Sequence, residues 1–170
     1  MRRKRIASGD YCMIECAVRE DGSSPAAWFL EQLRQGSWEE DPDTTGLPDD
    51  AQIGDYYKLM TWFEMLANDG LPAYQRAVNY LEEGIWEFKL GAKRLTFFDT
   101  PGDGTFTPKP KILDRDLAVN DDDFWWFPEF DPVIRLGHFW PKMGKWAESE
   151  DIDEAVAVRE EDIQHDKEAG

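Results

Sequence analysis

Residues 84–98 read GIWEFKLGAKRLTFF, and no other stretch limits the fold as tightly. Trp86, Phe88 and Leu90 alternate with Glu87 and Lys89, the period of a strand with one buried face. A turn over Gly91, Ala92 and Lys93 follows. Leu95 and Phe97 then face inward, while Arg94, Thr96 and Phe98 face the other way. Two alternating runs joined by so short a turn make an antiparallel hairpin. A lone hairpin is marginal in water, so other elements have to cover its apolar face.

The rest of the chain supplies them. YCMIECAV (11–18) has the composition of a strand. Ser24 and Pro25 have the residue types of an N-cap and a first helical position. Ala26, Phe29, Leu30 and Leu33 form one stripe behind them, and Gly36 stops the helix. An acidic loop rich in Pro and Gly spans 38–54. Tyr56, Leu59, Met60, Phe63, Leu66 and Ala67 predict a second helix ending at Gly70. Tyr74, Ala77, Val78 and Leu81 predict a third, ending at Gly84. After a long loop, VIRLGHFW (133–140) reads as a strand. Ile152, Ala155, Val156, Arg159 and Ile163 share one face of a last helix. The expected fold is α+β, a small, mainly antiparallel sheet with helices packed on it. One domain spans 1–170, with a basic arm at 1–10, acidic insertions at 38–55 and 100–131, and a C-terminal helix and tail at 148–170.

Charge narrows the function. The chain holds 36 acids against 19 Lys and Arg, a net charge of -17. Such a surface repels polyanions and anionic membranes at long range. No apolar run approaches the roughly 20 residues that span a bilayer, so no membrane partner and a cytoplasmic location are expected. Cys12 and Cys16 read as buried, reduced thiols. Asp41, Asp43, Thr45, Gly46 and Asp49 occupy positions 1, 3, 5, 6 and 9 of a calcium-loop pattern. Gln52 stands where that pattern needs a glutamate, and Pro42 and Pro48 interrupt it. The stretch reads as a solvated loop, with no metal and no cofactor.

The positive charge is not spread evenly. Residues 132–147 contain no acid and hold Arg135, His138, Lys142 and Lys145. The hairpin adds Lys89, Lys93 and Arg94. These two stretches are expected to be neighbours in one sheet, giving a basic patch ringed by acidic loops. Alternatively, the cations only balance nearby carboxylates, as surface ion pairs do for little energy. The aromatic run FWWFPEF (124–130) is read as core, or as an interface anchor.

Three passages carry a family resemblance. LEEGIWEFKLGAKRLTFF is similar to the "lwELR…yRi.yf" core of the RelE/HigB-like toxin superfamily, in its phage-derived branch. IRLGHFWPKMGKW resembles that branch's "hgF.KKtqktP" strand and exit loop, and EDIDEAVAVREED its closing helix. The likeness covers roughly residues 12–36 and 55–164. It implies a RelE-like fold and the toxin of a type II toxin–antitoxin pair, with an antitoxin protein, mRNA and the ribosome as partners. The activity implied is metal-independent cleavage of mRNA, by attack of a 2′-hydroxyl on the adjacent phosphate.

Arg94 matches the "yRi" arginine and would clamp the phosphate. Lys89 falls at the "ELR" arginine, Lys142 in the "KK" pair, and Lys145 near its end. His138 is the residue suited to proton transfer. The catalytic set is then Lys89, Arg94, His138 and Lys142, with Lys93, Arg135 and Lys145 binding substrate. The order Gly137-His138-Phe139 differs from the family's "HGF" and moves the histidine to the other face of a regular strand. A non-catalytic alternative keeps the same fold. Its acidic surface would bind a basic partner or mimic nucleic acid, and the insertion at 114–131 would lie over the basic face.

Overall fold

The computed structural model describes residues 2–71, 77–113, 125–144 and 149–170. Eight strands and three helices follow in the order β1 (Arg5–Ser8), β2 (Met13–Cys16), α1 (Pro25–Gln35), α2 (Asp50–Asp69), β3 (Val78–Glu82), β4 (Ile85–Leu90), β5 (Lys93–Thr100), β6 (Ile112–Leu113), β7 (Trp125–Trp126), β8 (Val133–Pro141) and α3 (Ser149–Ala169). Six strands form one sheet in the order β1-β2-β8-β5-β4-β3. Among the described residues only β2 and β8 pair in parallel. The expected α+β architecture with a mainly antiparallel sheet is therefore present, and the two basic stretches are neighbours through β5 and β8.

The sheet separates two cores. On one face α1 and α2 bury Phe29, Leu33, Phe63 and Leu66 against Ile14, Phe88, Phe97, Ile134 and Leu136. On the other, Ala155, Val158 and Ile163 of α3 cover Ala17, Ile85 and Phe98. The alternation read along the hairpin holds: Leu95 and Phe97 lie in the first core and Phe98 in the second.

The helix starts follow from their caps. Ser24 Oγ accepts from Ala27 N, and Gly36 closes α1 with a left-handed φ of 67°. Helix α2 begins at Asp50 rather than after residue 54, because Asp49 caps it by accepting from Ala51 N at 2.8 Å. Asp49→Ala should cost about 1 kcal/mol of stability, measured by urea unfolding, as loss of an N-cap does.

Two sequence expectations are corrected. The basic arm is in part an edge strand, since β1 pairs antiparallel with β2. The helix expected over 71–84 is not formed at its C-terminal half, where 78–82 is strand β3. Its Tyr74 lies outside the described residues. Glu83 and Gly84 both take positive φ, 53° and 77°, and reverse the chain so that Glu82 pairs with Ile85. That two-residue turn suits the twist of a hairpin. The pairing of β3 with β4 thus overrides the helical spacing of Ala77, Val78 and Leu81.

The aromatic insertion is core in part, for Trp126 is 55% exposed. Trp125, Phe127 and Phe130 pack on Trp86 with ring centroids 5.5–5.9 Å apart, on the α1/α2 face. Phe124 lies outside the described residues. The two cysteines are buried and free, and burial pushes their thiols up to about 11 and 12.

Candidate active site

Helix α3 packs on the second face of the sheet. Its apolar side chains lie over Ile85 and Phe98. By alternation Glu87 and Lys89 of β4 share the face of Ile85, and Arg94 and Thr96 of β5 share that of Phe98. The register places Glu87 opposite Thr96, and Lys89 opposite Arg94. Arg94 is in turn opposite Trp140 of β8. Just beyond β8, Lys142 N donates to Ala92 O at 2.7 Å, which ties the exit segment to the hairpin turn.

A bulge settles where His138 points. The β5–β8 register shifts between Leu95 and Phe97, whose partners are Phe139 and Leu136. Gly137 and His138 therefore both stand opposite Thr96, and the extra residue reverses the alternation. His138 leaves the face of Leu136 for the α3 face. There its Nε2 lies 3.0 Å from Asp151 Oδ1, in the first turn of α3, and its ring stacks on Trp140 at 5.5 Å. The Gly-His-Phe order would send the ring to the wrong face of a regular strand. The bulge corrects that and brings His138 to the face of Arg94 and Lys89.

The centre of this cluster is Glu87, a residue to which the sequence reading assigns no role. Glu87 is 4% exposed. Asn79 Nδ2 donates to its Oε1 at 3.4 Å, and Arg94 Nε lies 3.9 Å from the same oxygen. Its Oε2 is buried with no hydrogen-bond partner among the described residues, and so is the Trp140 indole nitrogen. Burial pushes the Glu87 carboxyl above its usual range, against the pull of Arg94, the Asn79 hydrogen bond, Lys142 and Lys89. Burial also lowers Arg94, against the pull of Glu87. Both shifts favour the neutral forms, so the pair at 3.9 Å does not offset its own desolvation. Arg94 Nη1 donates to Gly91 O and Lys93 O.

The other expected site residues lie elsewhere. Lys93 faces the α1/α2 side, is 5% exposed, and pairs with Asp41 at 3.2 Å and Asp55 at 2.9 Å. The loop that holds Asp41 is not a solvated one at that point, for Asp41 is 5% exposed. Arg135 shares the α3 face but is buried under the far end of α3, bonded to Glu15, Asp162 and Asp166. Neither side chain is open to a substrate, so a single basic patch is not what the fold makes. Lys145 lies outside the described residues. The described part of the insertion, residues 125–131, packs on the α1/α2 face and not over this cluster. Among the described residues no group of three or more His, Cys, Asp or Glu could hold a metal ion. No helix of the described residues is long and apolar enough to cross a membrane.

No family model matches the chain, and no curated protein or solved structure is significantly similar to it.

Proposed function

We propose that the protein is a RelE/HigB-like toxin that cleaves mRNA without a metal. The observation that carries this reading is the convergence of Lys89, Arg94 and Lys142 on one buried carboxyl, on an otherwise strongly acidic chain. Cleavage by a 2′-hydroxyl builds negative charge on the phosphorane, and positioned cations stabilise it. In this reading His138, held by Asp151 and Trp140 on the same face, hands a proton to the leaving oxygen. The three passages that resemble the superfamily fall on β3–β5, on β8 with its exit, and on α3. An antitoxin would neutralise the protein by covering this cluster, and the substrate places its action in the cytoplasm.

Induced expression tests the reading. The wild type should arrest growth and translation, and Arg94→Ala with Lys142→Ala should relieve the arrest. In a cell-free translation system mRNA cleavage should fall by about 10²–10³ for each lost phosphate donor. Circular dichroism confirms that the variant is folded. If folded wild type neither arrests growth nor cleaves mRNA, the second reading takes over. That reading is a non-catalytic protein that binds a basic partner, favoured by the cleft of about 480 Å³ that Glu20, Glu160, Glu161 and Glu168 line beside α3.

A further inference from the structure

We infer that the N-terminal arm forms a binding site for a compact polyphosphate, either the triphosphate group of a nucleotide or an inorganic chain. The inference stands apart from the ribonuclease reading. The arm lies outside the passages that resemble the superfamily. In the sheet β2 and β8 separate β1 from β5 and β4, which carry Arg94 and Lys89.

It starts from charge that nothing neutralises. The chain has 36 acids for 19 Lys and Arg, so carboxylates are in excess. Arg2, Lys4 and Arg5 are nevertheless exposed, and their side chains have no hydrogen-bond or ion-pair partner among the described residues. With Arg3 they line a cleft of about 800 Å³, whose other lining residue among those described is Glu15. That carboxylate already pairs with Arg135 at 2.9 Å. The cleft therefore presents positive charge to solvent, which the buried Lys93 and Arg135 do not.

The arm is held in place before any ligand arrives. Arg3 Nε donates to Asp162 Oδ1 at 2.8 Å, and its Nη1 lies 3.1 Å from Asp166 Oδ1, which pins the arm to α3. Along the sheet Lys4 O accepts from Cys16 N at 2.9 Å, and Arg5 stands opposite Glu15. A backbone fixed in advance spares the ligand much of the cost of ordering it.

Size and surroundings choose the ligand. Four successive residues reach at most about 11 Å from first to last, so the cations crowd into the length of a short phosphate chain. Guanidinium forks match phosphate oxygens two at a time. An acidic peptide suits the arm less, because a strand puts side chains on one face only every second residue, about 7 Å apart. A long nucleic acid also suits it less. The stretch of α3 that anchors Arg3 carries Glu160, Glu161 and Glu168 as well, and these repel a backbone that runs on past the cleft.

Thermal melting and calorimetry with anionic probes test the site. Inorganic tripolyphosphate or adenosine triphosphate at millimolar concentration should raise the melting temperature, because a ligand that binds only the folded chain stabilises it. Sulfate at matched ionic strength should not. Equal affinity for the two triphosphates assigns an inorganic chain, and tighter binding of adenosine triphosphate assigns a nucleotide. Affinity should fall by about tenfold for each of Arg2→Ala, Lys4→Ala and Arg5→Ala, the loss expected of a hydrogen bond to a charged group. Those side chains have no partner among the described residues, so without ligand the variants should melt at the wild-type temperature. The site is wrong if sulfate stabilises as much as the triphosphates or if neither triphosphate binds. It is wrong too if the triple alanine variant binds them as tightly as the wild type. A 2′-O-methyl oligoribonucleotide or an acidic peptide that binds the arm more tightly than both triphosphates would overturn the ligand class, since the cleft would then serve a longer polyanion.

Discussion

Arg135→Met should cost the fold about 3–5 kcal/mol, the range seen when one partner of a buried ion pair is removed. The side chain is 3% exposed. Its Nε donates to Glu15 at 2.9 Å, and Nη1 donates to Asp162 at 2.8 Å and to Asp166, which Nη2 also reaches at 3.3 Å. Burial alone would lower the guanidinium, and the hydrogen bonds of Asp166 and Asp162 outweigh it, so its pKa is raised. Methionine fills much of the volume but leaves Glu15, Asp162 and Asp166 facing one another, with Arg3 as the remaining cation. The cluster also fastens α3 to the sheet, since Asp162 Oδ1 accepts from Val18 N at 2.9 Å. A domain has a total stability of about 5–15 kcal/mol, so the variant should sit near the edge of folding. Urea unfolding should show a lower midpoint with an unchanged slope. Adding Asp162→Asn and Asp166→Asn should recover much of the loss, because neutral amides do not need the cation. A loss under about 1 kcal/mol for the single variant would mean that the carboxylates do not depend on Arg135.

This cluster shows where the sequence stops being readable. Arg135 stands in a stretch with no acids, which points to a cation free to bind a substrate. Its partners Asp162 and Asp166 come from α3, 27 and 31 residues on, and nothing local signals that pairing. The same pairing explains why α3 buries Asp162 and Asp166 beside Ala155, Val158 and Ile163, whereas its buried Arg159 donates to Glu83 O and lies over the Phe106 ring. The hairpin, by contrast, is legible because a period of two residues is a local property, and the caps of α1 are legible for the same reason. Strand β3 is not, because Glu83 is not among the residue types that usually precede the glycine of a two-residue turn. Glu87 sits at an alternating polar position, which reads as solvent-facing. Its burial comes from elements distant in the chain, which the local pattern does not show. His138 needs the bulge, which no residue type in 133–140 declares.

A single residue of turn length decides where Lys93 lies. With Gly91, Ala92 and Lys93 read as the turn, its side chain has no assigned face. The structure turns on Gly91 and Ala92 alone, and Lys93 pairs with Leu90 as the first residue of β5. Alternation then puts it with Leu95 and Phe97 on the α1/α2 face. There it meets Asp41 and Asp55, so Lys93→Met should cost about 3 kcal/mol, at the lower end for a buried pair because Asp55 can still reach water.

The loss should depend on pH. Burial pushes the Asp41 carboxyl up, but the Asp43 amide and Lys93 outweigh it and leave the group below its usual range. A lowered carboxyl adds stability that is present above its unfolded pKa and is lost as pH falls through the folded value. Lys93 is raised despite burial, held by Asp55 and Asp41, so its share is intact below the usual lysine range and lost only at high pH. The gap between wild type and Lys93→Met should therefore be widest between those limits and narrow toward acid, where Asp41 is neutral in both. The ribonuclease activity proposed above should be unchanged in the folded variant, because Lys93 faces away from Glu87, Arg94 and His138. Lost cleavage with unchanged stability would instead put Lys93 in the site, and the pairing with Asp41 and Asp55 would have to open for it to act there.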